Sequence, residues 1–194
     1  QLTENWLANS TTAFIEFKQV NNFAGAGYDY GLDDVFFGPC CFGSTEWPKT
    51  SSLTSTSWKD IGADIATDNQ GGVYMAGSFQ ESTSFDGVGI VHGAQNEGAF
   101  LVKYNDCGDL EWVAQSQALS AGTGNTAAAT AVDVDHANGF VYVAGTVNGR
   151  VRFNSGIDGN GPLLCSNAWL FPGTLANQSM FLAKYDLGGC LLEL

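Results

Sequence analysis

Apolar and polar positions alternate along this chain in short runs, broken by clusters of Gly, Asn and Asp. Val73-Tyr74-Met75-Ala76-Gly77-Ser78-Phe79 is rich in β-branched and aromatic residues and reads as a strand. Ile65-Ala66-Thr67-Asp68 precedes it across Asp68–Gly72, a turn in which Asp, Asn and Gly supply side-chain hydrogen bonds and positive φ. Phe100-Leu101-Val102-Lys103-Tyr104 and Leu110-Glu111-Trp112-Val113-Ala114 follow, joined by the Gly-containing turn Asn105–Asp109. These four strands make an antiparallel set.

The set occurs twice. Gly71–Phe79 is echoed by Gly139–Thr146, with Tyr74 and Tyr142 standing 68 positions apart, as do Gly77 and Gly145, and Phe85 and Phe153. Asp68 and Asp135 match at 67, and Phe100–Tyr104 returns as Phe181–Tyr185 at 81. Several anchors in one order are an internal repeat. The second copy places strands at Ala131–Val134, Phe140–Gly145 and Phe181–Tyr185, with a stub from Cys190 to Leu194. Thr126-Ala127-Ala128-Ala129 is too short for an independent helix and reads as the lead-in to its first strand. Four antiparallel strands in a repeat of roughly 70 residues is the arithmetic of a propeller blade.

The residues Ile65, Asp68, Gly72, Val73-Tyr74, Gly77, Phe85, Phe100, Lys103-Tyr104, Gly108, Leu110 and Trp112 resemble, in that order, the bacterial β-propeller repeats called SBBP. The second copy matches through Val132, Asp135, Val141-Tyr142, Gly145, Phe153, Phe181, Lys184-Tyr185 and Gly189, and departs at Glu193, where Trp112 leads one to expect Trp. The resemblance covers about residues 62–194. It implies a partial β-propeller in a large secreted or surface protein of bacteria, often beside adhesive modules. Further upstream, Thr12–Val20 alternates as a strand and Tyr30–Phe37 reads as a second. Gly31-Leu32-Asp33-Asp34-Val35-Phe36-Phe37 resembles the closing strand of a jelly roll of the MAM or carbohydrate-binding type, over about residues 12–37. The expected organisation is a jelly-roll-like terminal hairpin at 1–45, a Ser/Thr-rich linker at 46–61, one blade at 62–118 and a second at 119–194 with its last strand partial. The fold class is therefore all-β: two four-stranded antiparallel propeller-type blades preceded by a jelly-roll-like β-hairpin. Two blades do not close a ring, so a fragment of a larger surface protein is expected, or a ring that closes by assembly.

Composition narrows the partners. There are 25 glycines in 194 residues, well above the usual share of about 7%, as many turns require. Acids outnumber bases 20 to 7, and the net charge of −13 repels phosphate backbones and anionic lipid surfaces, which argues against nucleic acid. No apolar run reaches the roughly 20 residues of a membrane span. The partners expected are other protein modules, copies of this chain or a glycan.

Candidate chemistry is sparse. There are two histidines, His92 and His136, without a neighbouring nucleophile–acid pattern, and no catalytic motif is present, so no enzyme is expected. Asp29, Asp33 and Asp34 are the candidate metal ligands: calcium takes several hard oxygens, and the resembled jelly rolls imply a structural Ca2+ on such a strand. Strand alternation lets at most one of Asp33 and Asp34 face a given ion. Trp169 and Phe171, in the long insertion of the second repeat, are the candidate ligand-binding aromatics, either a platform for a sugar or partner or a seal between blades. Asp68 and Asp135 recur as turn formers, and Lys103 and Lys184 recur with stems beside aromatics and ammonium groups in water. Cys40, Cys41, Cys107, Cys165 and Cys190 leave the disulfide pairing open. The function expected is a non-catalytic extracellular or cell-surface structural or adhesion module. The alternatives are a carbohydrate-binding module using loop aromatics and calcium, and a subunit of an extracellular filament assembling through blade edges.

Overall fold

The computed structural model describes residues 49–53, 59–93, 96–119, 124–158, 163–172 and 178–194, all within one compact unit, Thr45–Leu194. The hairpin expected at 12–37, with Asp29, Asp33 and Asp34, lies outside the described residues. Among the described residues all regular structure is β. In chain order the strands are β1 (Ser51–Leu53), β2 (Asp60–Thr67), β3 (Val73–Gln80), β4 (Ser82–Phe85), β5 (Val88–Val91), β6 (Glu97–Tyr104) and β7 (Leu110–Ala118). They continue as β8 (Thr126–Asp135), β9 (Phe140–Asn148), β10 (Arg150–Asn154), β11 (Ala168–Pro172), β12 (Ser179–Asp186) and β13 (Leu191–Glu193).

The four strands expected in each repeat pair in sequence order, all antiparallel: β2-β3-β6-β7 in the first and β8-β9-β12-β13 in the second. The alanines at 127–129 belong to β8, as the lead-in reading requires. Among the described residues no sheet closes on itself. The third turn of each repeat is built alike. Asn105 Oδ1 accepts the amides of Cys107 and Asp109, and Asp186 Oδ1 accepts that of Cys190. Gly108 and Gly189 supply the positive φ, 79° and 88°, that the backbone needs there.

The loops between second and third strands carry hairpins. In the first repeat β4 and β5 pair across Asp86-Gly87, both at positive φ, the dipeptide of a type I′ turn. In the second repeat β10 pairs with β11, and β10 also adds to β7 of the first repeat. The first sheet thereby becomes six-stranded, in the order β11-β10-β7-β6-β3-β2. The hairpins seat alike on their own repeats: Phe85 meets Phe100 at 4.9 Å and 49°, and Phe153 meets Phe181 at 4.6 Å and 49°.

Ser51–Leu53 falls in the stretch read as linker, yet it pairs with β4. Its register repeats the β7–β10 junction. Ser51 lies opposite Phe85 as Ser116 lies opposite Phe153, and Leu53 opposite Thr83 as Ala118 opposite Val151. Thus β1 holds, against the first hairpin, the place that the end of β7 holds against the second.

Two apolar clusters fill the unit. The larger lies between the repeats, where Tyr74, Ala76, Leu101 and Trp112 of the first meet Val132, Val143, Phe181 and Tyr185 of the second. In that junction β8 crosses β2, β3 and β6. The smaller cluster, with Phe79, Phe85, Ile90, Phe100 and Val102, sits on the other face of the first sheet under the β4–β5 hairpin. Period-2 alternation along β3 and β6 sends neighbouring residues to the two clusters, which is why neither strand has an exposed residue.

Candidate functional site at the repeat junction

Polar residues of the repeat, Asp68 and Lys103 foremost, meet at the junction. Asp68 ends β2. Its Oδ1 accepts the amides of Gln70 at 2.9 Å and Gly72 at 2.7 Å, and its Oδ2 accepts the Tyr74 hydroxyl at 2.9 Å. Burial works to raise the Asp68 carboxyl, but these three donors and the charge of Lys103 hold it below the ordinary carboxylate value. The same arrangement raises the Tyr74 phenol, by burial first and then by its bond to the carboxylate. Asp135 closes the matching turn of the second repeat. The Asn138 side chain and the amides of Ala137 and Asn138 donate to it and lower its pKa.

Lys103 differs from the expectation of a wet ammonium. It is buried, 2.7 Å from Glu111 Oε2 and 3.8 Å from Asp68 Oδ2, and 5.3 Å from the centre of the Tyr74 ring. It also donates to the Leu187 carbonyl across the junction at 3.3 Å. The Trp112 indole N–H donates to the same oxygen at 3.2 Å, while its ring stacks on Tyr185 at 6.5 Å and 22°. Asp64 Oδ2 accepts the Val132 amide at 3.0 Å. The sequence reading missed Leu187 and Val132, because both act through main-chain groups that leave no side-chain signature. Lys184, the counterpart of Lys103, sits 3.9 Å over the Phe140 ring.

Between the two Asp turns lies a cleft of about 60 Å3 lined by Asp68, Gln70, Asp135, His136 and Leu187. Its size suits a water molecule or two and not a sugar. Among the described residues no group of three or more His, Cys, Asp or Glu side chains stands together as a metal site.

His92, read as a loop residue, is buried where β5 ends. Its Nε2 lies 2.8 Å from the Asn125 carbonyl, and its Nδ1 lies 3.1 Å from Ser116 Oγ and 2.9 Å from the Ser116 carbonyl. A neutral ring has one N–H and so donates to only one of the two carbonyls: with Nε2–H on Asn125, Nδ1 accepts from the Ser116 hydroxyl, whose oxygen takes the Ala99 amide at 2.8 Å, and the Ser116 carbonyl receives no proton from the ring. Burial lowers the His92 pKa and outweighs the two carbonyls and Glu97, which work to raise it. The unfolded chain therefore takes up a proton near the ordinary value of about 6.5 that the folded chain refuses. Stability is expected to fall as pH drops below about 6.5 towards the lowered folded value. Asp68 and Asp135 add their losses only below about 4, the ordinary carboxylate range. The urea midpoint is expected to decline between pH 7 and 5, and a His92→Gln chain to show a flatter dependence. An equal slope in both would remove His92 from this role.

Trp169 and Phe171 both lie on β11, the edge strand of the six-stranded sheet, opposite Phe153 and Val151. The strand does not present them as an exposed pair. Trp169 is 45% exposed, whereas Phe171 packs against the junction cluster. Leu170 is exposed beside Trp169. Cys165, in the insertion that leads to β11, is disulfide-bonded to Cys190 in the third turn, with Cα atoms 5.5 Å apart. The insertion thus folds back onto the last turn of its own repeat, where the Gly156 amide also donates to the Gly189 carbonyl at 2.7 Å. No protein-family model matches this chain, and no curated protein matches it.

Proposed function

We propose that the chain is a non-catalytic extracellular structural or adhesion module, built of consecutive propeller-type blades and belonging to the surface of a bacterium. The observation that carries this reading is the destination of the polar residues around the repeats. Asp68 and Asp135, which recur, close turns, and Lys103, Trp112 and Asp64 of the first repeat bind main-chain groups of the second, so this polar chemistry serves turns and stacking. The Cys165–Cys190 disulfide and the net charge of −13 support an oxidising, extracellular setting. Membrane-impermeant biotin applied to intact source cells is expected to label the chain, and its intact mass is expected to rise on reduction. An unlabelled, fully reduced chain in the cytosol would overturn the reading.

The half-exposed ring of Trp169 favours a second reading, a carbohydrate-binding module in which that ring carries the contact and a structural Ca2+ is held by ligands drawn from Asp29 and one of Asp33 and Asp34. Phe171 contributes less to it than a platform of both aromatics requires, because it packs against the junction cluster. Saccharide-dependent quenching of tryptophan emission, lost in Trp169→Ala, is the expected sign. A flat response across a broad glycan panel removes this reading.

A further inference from the structure

The two repeats present counterpart faces, and the chain itself shows what covers each. On the first repeat the face carrying Tyr74, Ala76, Ala99 and Leu101 is buried under the second. The same face of the second repeat carries Tyr142 and Ala144, which are half-buried, and Met180 and Leu182, which are exposed. Leu101 is 2% exposed, while its counterpart Leu182 is 59% exposed; Ala99 is 5% exposed, while its counterpart Met180 is 87% exposed. The opposite relation holds at the other end. Val132 of β8 is 6% exposed in the junction, and its counterpart Ile65 of β2 is 62% exposed. The correspondence is fixed by register, since Ile65 pairs with Met75 as Val132 pairs with Val143. Solvent-facing positions have no need of leucine, methionine and isoleucine, and grouped exposed apolar side chains mark contact surfaces.

We propose that a second copy of this chain docks head to tail on the outer face of the second repeat, with β2 of the incoming copy crossing β8, β9 and β12 as β8 crosses β2, β3 and β6 within the chain. Ile65 of one copy then covers Leu182 and Met180 of the other. The proposal deepens the structural-module reading and rests on it. The contact joins two different surfaces, so it is heterologous and propagates into a ring or an open filament. It is a contact of faces and not an exchange of strands, because the edge of β4 is already taken by β1. That edge shows the stacking arrangement reiterated. Sequence supports the same point: Glu46-Trp47 precedes β1 as Glu111-Trp112 precedes the end of β7, both at a spacing of 65. The contact between copies is weaker than the internal junction, since Ala131 stands at the place of Asp64 and Glu193 at that of Trp112. Neither the Asp64–Val132 bond nor the indole bond to Leu187 is reproduced. Association is therefore reversible and depends on concentration.

Sedimentation velocity on the full oxidised chain over about a hundredfold range of concentration tests this. Species larger than the monomer are expected to grow with concentration. Leu182→Glu and Ile65→Lys are each expected to weaken association by about tenfold or more, the effect of losing one buried aliphatic contact. An equimolar mixture of the two variants is expected to recover a dimer, because the unchanged Ile65 strand of the Leu182→Glu chain meets the unchanged Leu182 face of the Ile65→Lys chain. Met180→Glu, at the most exposed apolar position, gives the same reading should Leu182→Glu fail to fold by circular dichroism. A chain that stays monomeric at every concentration overturns the proposal, as does association that neither variant weakens, or a mixture no better than its components. Those results leave the extracellular-module reading standing, since that reading fails only on the labelling and reduction experiment.

Discussion

Trp112→Ala is expected to lower the unfolding free energy by about 3–5 kcal/mol, as large-to-small changes at buried aromatic positions do. Against a total of about 5–15 kcal/mol for a domain, that leaves the fold marginal. Trp112 is 3% exposed and lies at the meeting of the two repeats. Its ring stacks on Tyr185, lies 6.0 Å from Tyr74, and has Gly189 and Gly156 packed against it so closely that an added Cβ would come within 2.8 Å and 3.1 Å of ring atoms. The indole N–H contributes less than the ring, because Lys103 also donates to the Leu187 carbonyl and keeps that oxygen satisfied when the indole is gone. Trp112→Phe is therefore expected to cost only about 1–2 kcal/mol. A second signature separates a junction residue from an ordinary core residue. Stacked repeats are held by nearest-neighbour contacts, so removing this one uncouples them. The urea transition of Trp112→Ala, followed by far-UV circular dichroism, is expected to broaden or split and its m value to fall. An unchanged m with a small loss of midpoint would show that the junction does not depend on this ring.

What was legible in the sequence was whatever the side chains repeat. The four strands of each copy, their order, and Asp68 and Asp135 as turn formers follow from periodicity and from the offsets of 67 and 68. The hairpins inside the variable loops were passed over, although Asp86-Gly87 flanked by Ser82–Phe85 and Val88–Val91 carries a hairpin signal of its own. The place of β1 was hidden differently. Three residues of Ser-Ser-Leu have no strand signature, and their role comes from pairing with a strand 30 positions away. The offset of 65 between Glu46-Trp47 and Glu111-Trp112 was the signal that reaches it. Lys103 was misjudged for a physical reason. A lysine beside aromatics is usually wet, and this one is buried only because Glu111, Asp68 and a carbonyl from the other repeat converge on it. Such convergence is a property of the packed pair of repeats, and no single copy contains it.

Gly77→Ala and Gly145→Ala are expected to be destabilising by about 3 kcal/mol each, the upper range for forcing an extra carbon into a packed site. The sign is against intrinsic preference, since alanine in place of glycine in a strand interior ordinarily gains about 0.5–1 kcal/mol. Geometry decides the matter. Each glycine sits in the second strand of its repeat, beside a register shift in the first: between Gly62 and Asp64 of β2, and between Ala129 and Ala131 of β8. The extra residue bends the bulged strand and pushes its backbone into the neighbour. A Cβ on Gly77 would run into the Ile61 carbonyl oxygen and meet the Phe100 ring at 2.8 Å. A Cβ on Gly145 would run into the Ala128 carbonyl oxygen and meet the Phe181 ring at 2.7 Å. A side chain can rotate away, but a carbonyl fixed in a ladder cannot, so the bulge must open or the pairing must slip. Slippage by one residue would turn every side chain of the strand to the wrong face: β3 lies between two different buried clusters, and β9 between a buried face and a partly open one. Gly89→Ala is the control. It lies in β5 with no atom within 4 Å of the added carbon, and is expected to change stability by less than about 0.5 kcal/mol. Chemical unfolding of the three variants in parallel checks the argument. Equal effects at 77, 89 and 145 would mean that glycine matters in this chain through strand propensity alone, and that the bulge does not set the register on which the stacking of the repeats depends.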